Sequence, residues 1–161
     1  MADTEFRYVA FRVEGDVITG TVVRYGDQAR FGEWSEVFSP GSIRYSDVIV
    51  NLQHDRGRPV ARSDAGLTLL DSAEALTAKV ELPDTSYARE ARELVNAGIL
   101  RGLSMEFRAV KDSWNGKQRT VSEAVLNGIG IVDRPAYSES KIAARFAQDF
   151  LPAPMRGKVY I

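Results

Sequence analysis

The chain has 161 residues, 44% of them hydrophobic and 27% charged, and its 21 Lys+Arg nearly balance its 22 Asp+Glu. That length suits one domain around one core, and the balanced charge gives no reason to expect nucleic acid or an anionic membrane as partner. The absence of cysteine excludes disulfides, thiolate metal sites and a cysteine nucleophile, and a single histidine argues against zinc, so no cofactor is expected.

No apolar run approaches the ~20 residues a membrane-spanning helix needs, and Met1-Ala2-Asp3-Thr4-Glu5 lacks the basic and apolar stretches of a signal peptide. The first half reads as β. Phe6–Glu14 and Val17–Tyr25 are rich in β-branched and aromatic residues, with Gly15-Asp16 as the hairpin turn between them. Residues 28–46 read as a long loop with one short helical turn. Strands are expected at Val48–Gln53, Pro59–Arg62, Leu67–Ser72 and Leu76–Leu82, with a turn at Asp64-Ala65-Gly66.

The period then changes. Pro83-Asp84-Thr85-Ser86 offers an N-cap, and Tyr87, Ala88, Ala91, Leu94 and Val95 recur at helical spacing up to a C-cap at Asn96-Ala97-Gly98. Gly102–Val110 and Gln118–Val132 are strands joined through Asn115-Gly116, a strong hairpin signal. Lys141–Phe150 reads as a second, weaker helix, and Pro152-Ala153-Pro154 marks a tail. The expected class is α+β, a small and mostly antiparallel β-barrel of about seven strands with flanking helices. Residues 1–150 would form the single domain and 151–161 a flexible tail.

Two polar islands interrupt apolar strands: Asn51-Leu52-Gln53-His54-Asp55, with the only histidine, and Arg101-Gly102-Leu103-Ser104-Met105-Glu106-Phe107. A histidine and a serine brought together form the nucleophile–base pair of acyl transfer. Strand alternation would set His54 on one face with Val48, Val50 and Leu52, at the edge of an apolar layer where burial keeps imidazole neutral. It would also set Ser104 beside Gly102 and Glu106, with Leu103, Met105 and Phe107 anchoring the other face. Glutamate at position 106 breaks the Gly-x-Ser-x-Gly elbow of α/β-hydrolases.

Three carboxylates are candidates to orient the imidazole: Glu106, Glu123 and Asp133. Glu106 lies about 6–7 Å from Ser104 along the same strand. If Trp114 pairs with Lys117, Ser104 faces Asn127, and Glu123 stands on the correct face but about four residues away unless a bulge shifts the register. Asp133, before Arg134-Pro135, reads as part of a turn. Trp34 and Trp114 read as packing anchors, and Arg56 and Arg58 as a solvated loop.

The order of segments resembles the prohead (capsid maturation) protease family of tailed phages. The matching pieces are Phe38-Ser39-Pro40-Gly41-Ser42-Ile43, Leu52-Gln53-His54-Asp55, Asp84-Thr85 with the helix behind it, Gly102-Leu103-Ser104-Met105-Glu106-Phe107, and Gly128-Ile129-Gly130-Ile131-Val132-Asp133-Arg134-Pro135-Ala136-Tyr137. The resemblance implies a serine endopeptidase with the β-barrel fold of the herpesvirus assembly proteases. It would cleave scaffold protein, or the scaffolding segment of the major capsid protein, inside the assembling procapsid in the host bacterial cytoplasm. Ser104 would be the nucleophile, His54 the general base and, by position, Glu123 the third member, with backbone amides near Asp133-Arg134 as the oxyanion site. Self-association into a homo-oligomer is a further implication. The alternative is a catalytically silent capsid- or scaffold-binding protein on the same fold.

Overall fold

The computed structural model describes residues 4–133. In chain order the elements are β1 (Thr4–Ala10), β2 (Arg12–Glu14), β3 (Val17–Arg24), β4 (Ala29–Phe31), β5 (Trp34–Phe38), β6 (Ile43–Arg44), β7 (Ile49–Leu52), β8 (Pro59–Ser63), β9 (Gly66–Asp71), β10 (Ala75–Glu81), α1 (Ser86–Asn96), β11 (Leu100–Asn115) and β12 (Gln118–Asp133). The expected second helix at Lys141–Phe150, the tail at 151–161 and Arg134 lie outside the described residues. No described helix is long and apolar enough to cross a membrane.

The expected barrel is corrected. The 12 described strands form one curled, mixed sheet, a half-barrel, nine of them in the order β1-β11-β12-β7-β8-β9-β10-β3-β2 and β4, β5 and β6 off that path. It is neither seven-stranded nor simply antiparallel: β12 runs parallel to β5, β6 and β7, and β8 runs parallel to β9. The curl follows from one connection. The stretch expected as a single strand at Phe6–Glu14 breaks at Phe11, so that β1 pairs with β11 while β2 pairs with β3. One residue therefore joins the two ends of the sheet path, and the sheet has to bend until they meet. A methyl on Gly20 of β3 would lie 2.9 Å from Leu103 Cδ1 of β11, which measures that approach.

The region read as a loop contains β4, β5 and β6. They are short, and local propensity alone would not form them. They exist because the long β12 has a second edge to fill: Gln118–Val121 pair with β5, Ala124 and Val125 with β6, and Gly128–Ile131 with β7. Buried charge also hides the strand pattern of β5. Glu36 is fully enclosed and binds Arg7 Nε and Nη2 at 2.8 Å and Arg119 Nη1 at 3.2 Å, while Arg119 also reaches Glu5 at 2.7 Å. A glutamate in the middle of a strand therefore reads as exposed in the sequence although it sits in the interior. Trp34 is buried edge-on against Trp114 at 5.3 Å, in line with a packing role.

The other local signals gave the expected structures. Gly15 (φ 62) and Gly116 (φ 61) take the left-handed backbone of two-residue hairpin turns. Thr85 caps α1 by accepting from the Ala88 amide, and Gly98 (φ 75) ends it with its amide donating to Val95 O. Ala88, Ala91 and Val95 form the buried face of the helix, packed on β8 and β11. The core holds Leu103, Met105 and Phe107 of β11 with Ile129 and Ile131 of β12 and Val50 and Leu52 of β7, all at most 1% exposed.

Candidate active site

Three adjacent strands set the site. Register places Asn51 of β7 opposite Gly130 of β12, and Gly130 opposite Ser104 of β11. The next row on the same face is Ile49, Gly128 and Glu106. The intervening rows, Val50–Ile129–Met105 and Leu52–Ile131–Leu103, carry the core residues, so the site face is the one turned away from that core.

His54 reaches this face by a turn. Strand β7 stops at Leu52, and Gln53 (φ 51) and His54 (φ 59) both take left-handed backbone, as at the centre of a type I′ turn closed by Asp55 N donating to Leu52 O at 2.8 Å. Two non-glycine residues in that region cost roughly 1–2 kcal/mol each, so surrounding bonds have to hold them. Gln53 supplies them. Its amide donates to Ile131 O at 3.0 Å, and its side chain exchanges two 3.1 Å hydrogen bonds with the side chain and backbone amide of Asp133. The expectation that His54 shares a face with Val48, Val50 and Leu52 is thereby corrected, because the turn flips the imidazole to the opposite side.

The imidazole lies over Gly130. A Cβ on that glycine would fall 2.7 Å from His54 Cε1, 2.8 Å from Nε2 and 2.9 Å from Nδ1, closer than real contacts allow. The ring thus fills the space of the missing side chain, directly across the ladder from Ser104. Opposed Cβ positions in antiparallel strands are about 4.5–5.5 Å apart, so the ring stands one side-chain spacing from the serine. Ser104 is 4% exposed.

Glu106 meets the imidazole on its other side, with Oε2 3.5 Å from His54 Nδ1, beyond a formed hydrogen bond but within ion-pair reach. Its Oε1 is 3.3 Å from Arg56 Nη2. Gly128, opposite Glu106, leaves room for this carboxylate: a Cβ there would lie 3.2 Å from Oε2. Burial pushes the His54 pKa below its ordinary value, and the Glu106 carboxylate beside the ring opposes that shift without reversing it. The imidazole is therefore neutral at neutral pH, the form that can accept a proton.

The structure does not bring Glu123 to this place. It lies opposite Lys111, seven residues and roughly 20 Å along β12 from Gly130, paired with Arg44 at 3.0 Å and Lys111 at 3.3 Å. The hairpin pairs Asn115 with Gln118 rather than Trp114 with Lys117, and this together with the bulge at Glu106/Phe107 carries Ser104 to Gly130, while the shifts on either side of Lys111 cancel. Asp133 braces the turn instead of facing the ring. Its amide, one of the expected oxyanion donors, is engaged by Gln53. A sequence signal for Glu106 does exist: Gly128-Ile129-Gly130 alternates with the period of Ser104-Met105-Glu106 and clears the face opposite both.

A groove of about 990 Å³ starts at Glu106 and Gly128, crosses β7 and β8, and ends at Leu82, Pro83, Thr85 and Tyr87 near the start of α1. Ile49 and Tyr87 are about 40% exposed and give it an apolar wall. No cluster of three or more potential metal ligands occurs among the described residues.

The model of the family described as "Caudovirus prohead serine protease" matches residues 5–151. No curated protein matches the sequence. Among solved structures, the bacteriophage T4 capsid assembly protease is similar in fold, with a TM-score of 0.54 at 8% identity over 83% of this chain and 99% of that one.

Proposed function

The chain belongs to the caudovirus prohead serine protease family, and from that membership we propose that it is a serine endopeptidase acting in capsid maturation, with Ser104, His54 and Glu106 as its catalytic groups. One observation carries the assignment: the His54 imidazole occupies the vacant side-chain position of Gly130, between the serine opposite that glycine and the carboxylate two residues further along β11.

In this reading the Ser104 hydroxyl attacks the scissile carbonyl while His54 Nε2 takes its proton, and the tetrahedral intermediate collapses as the imidazolium protonates the leaving amine. Glu106, facing Nδ1, fixes the ring and stabilises the imidazolium. Water then repeats the sequence on the acyl-enzyme. Glu106 replaces Glu123 as the third group because the orienting carboxylate has to reach the nitrogen remote from the serine, and Glu123 is held elsewhere by Arg44 and Lys111.

The substrate proposed is scaffold protein, or the scaffolding segment of the major capsid protein, cleaved inside the assembling procapsid in the host cytoplasm. Family membership and the groove beside Glu106 support a polypeptide substrate. The test is exposure of the full chain to a fluorophosphonate probe, followed by intact mass and peptide mapping, with Ser104→Ala and His54→Ala as controls. One adduct on Ser104 that requires His54 is the expected result. A folded wild-type chain that takes no adduct, alone or assembled with capsid and scaffold, would favour the catalytically silent binding protein.

A further inference from the structure

Among the described residues Asn51 Oδ1 is buried and has no hydrogen-bond partner, and Asn51 as a whole is 7% exposed. A buried carboxamide oxygen left unpaired destabilises the free protein and calls for a reason. Asn51 is in the row with Gly130 and Ser104, two strand spacings (about 9–10 Å) from the serine, and it lines the groove.

A polypeptide laid across β7, β12 and β11 at this row meets no free edge of β7 or β11. Both edges of β7 are taken, by β12 and β8, and both edges of β11, by β1 and β12. Over these strands its main-chain amides, which need partners once they leave water, depend on side chains for them. The groove wall nearest the site is apolar (Ile49, Pro59, Val60), and the Glu106 carboxylate is already committed to His54 and Arg56. Of the two neutral carboxamides that line this end of the groove, Asn127 is exposed to water, and Asn51 is the buried one with an unpaired oxygen.

We propose that Asn51 is a substrate-binding residue, whose carboxamide oxygen turns into the groove and accepts a hydrogen bond from a main-chain N–H of the bound polypeptide. The proposal rests on the serine-protease reading above and adds to it which residue holds the chain during attack. The orphaned oxygen is the mark of a partner that arrives with the substrate. One neutral hydrogen bond of this kind corresponds to roughly a two- to tenfold change in affinity.

The test compares the full-length wild type with Asn51→Ala and Asn51→Leu, using a fluorophosphonate too small to fill the groove and a pool of internally quenched decapeptides. Both variants are expected to take the fluorophosphonate on Ser104 at the wild-type rate, and to raise KM for the peptides about two- to tenfold with kcat little changed. Asn51→Leu, which removes the unpaired oxygen, is expected to melt at a higher temperature than wild type. A purely structural asparagine would give a lower one. Unchanged peptide kinetics in folded variants would overturn the inference. An equal fall in labelling and cleavage would also overturn it, because Asn51 would then act through His54. A wild-type chain that is never labelled refutes the protease reading itself, and that result is visible before any Asn51 variant is made.

Discussion

Gly130→Ala introduces one methyl group at the point where the catalytic reading is most exposed. The new carbon would sit 2.7–2.9 Å from three atoms of the His54 ring. Ordinary contact needs about 3.5 Å, so the ring would have to retreat by roughly 0.7 Å. Its backbone cannot follow easily, because Gln53 is tied to Ile131 and to Asp133 by three hydrogen bonds of 3.0–3.1 Å. The ring therefore swings away from the row that holds Ser104. A misplacement near 1 Å costs on the order of 10²-fold in rate, so the expected fall is about 10- to 100-fold, or ~1.4–2.7 kcal/mol of transition-state stabilisation.

The stability effect should be smaller. Overpacking costs about 1–3 kcal/mol, and the His54 side chain, 21% exposed, can relieve part of it toward solvent. The assay is the second-order rate of Ser104 phosphonylation followed by intact mass, with thermal unfolding alongside. A double-mutant cycle isolates the contact: in a His54→Ala background, where no ring remains, Gly130→Ala should leave stability almost unchanged. Phosphonylation of folded Gly130→Ala at the wild-type rate would refute the placement of the general base.

Two further outcomes follow from the same geometry. Glu106→Gln should slow phosphonylation roughly a hundredfold or more, since it removes the charge facing Nδ1, whereas Glu123→Gln should leave the rate within twofold and lose only partly exposed ion pairs. Comparing the two variants by the same mass assay decides between the carboxylates. The pH dependence has a definite sign. Burial lowers the His54 pKa below its ordinary 6.5, so activity should rise with pH through a midpoint below that value and be complete at neutral pH. The folded state binds that proton less readily than the unfolded chain, so the same group should reduce stability as pH falls below about 6.5. A rate profile with its midpoint above 7 would contradict the burial argument.

The fold was legible where local chemistry decides it. Glycine turns at Gly15 and Gly116, the Thr85 cap, the Gly98 stop and the alternating patterns of β3 and β10 act over a few residues, and they form what the sequence predicts. The proposed pair of His54 and Ser104 was legible for the same kind of reason: each is a polar residue in an apolar stretch of sequence.

What the chain alone could not decide was everything set by pairing at a distance. Strands β4–β6 depend on the bare second edge of β12, and the curl depends on a break at Phe11 that joins the two ends of the sheet path. The carboxylate proposed as the third group turned on register. The hairpin closes at Asn115–Gln118 instead of Trp114–Lys117, which moves the partner of Ser104 along β12 by two residues, and the bulge at Glu106/Phe107 moves it by one more, to Gly130, seven residues from Glu123. The side of the sheet on which His54 lies was decided by two positive-φ residues that no strand periodicity reveals. Sequence chose the chemical groups, because their identity is covalent. Tertiary structure chose which of them meet, because proximity across strands is a sum of registers and turns distributed over the whole sheet.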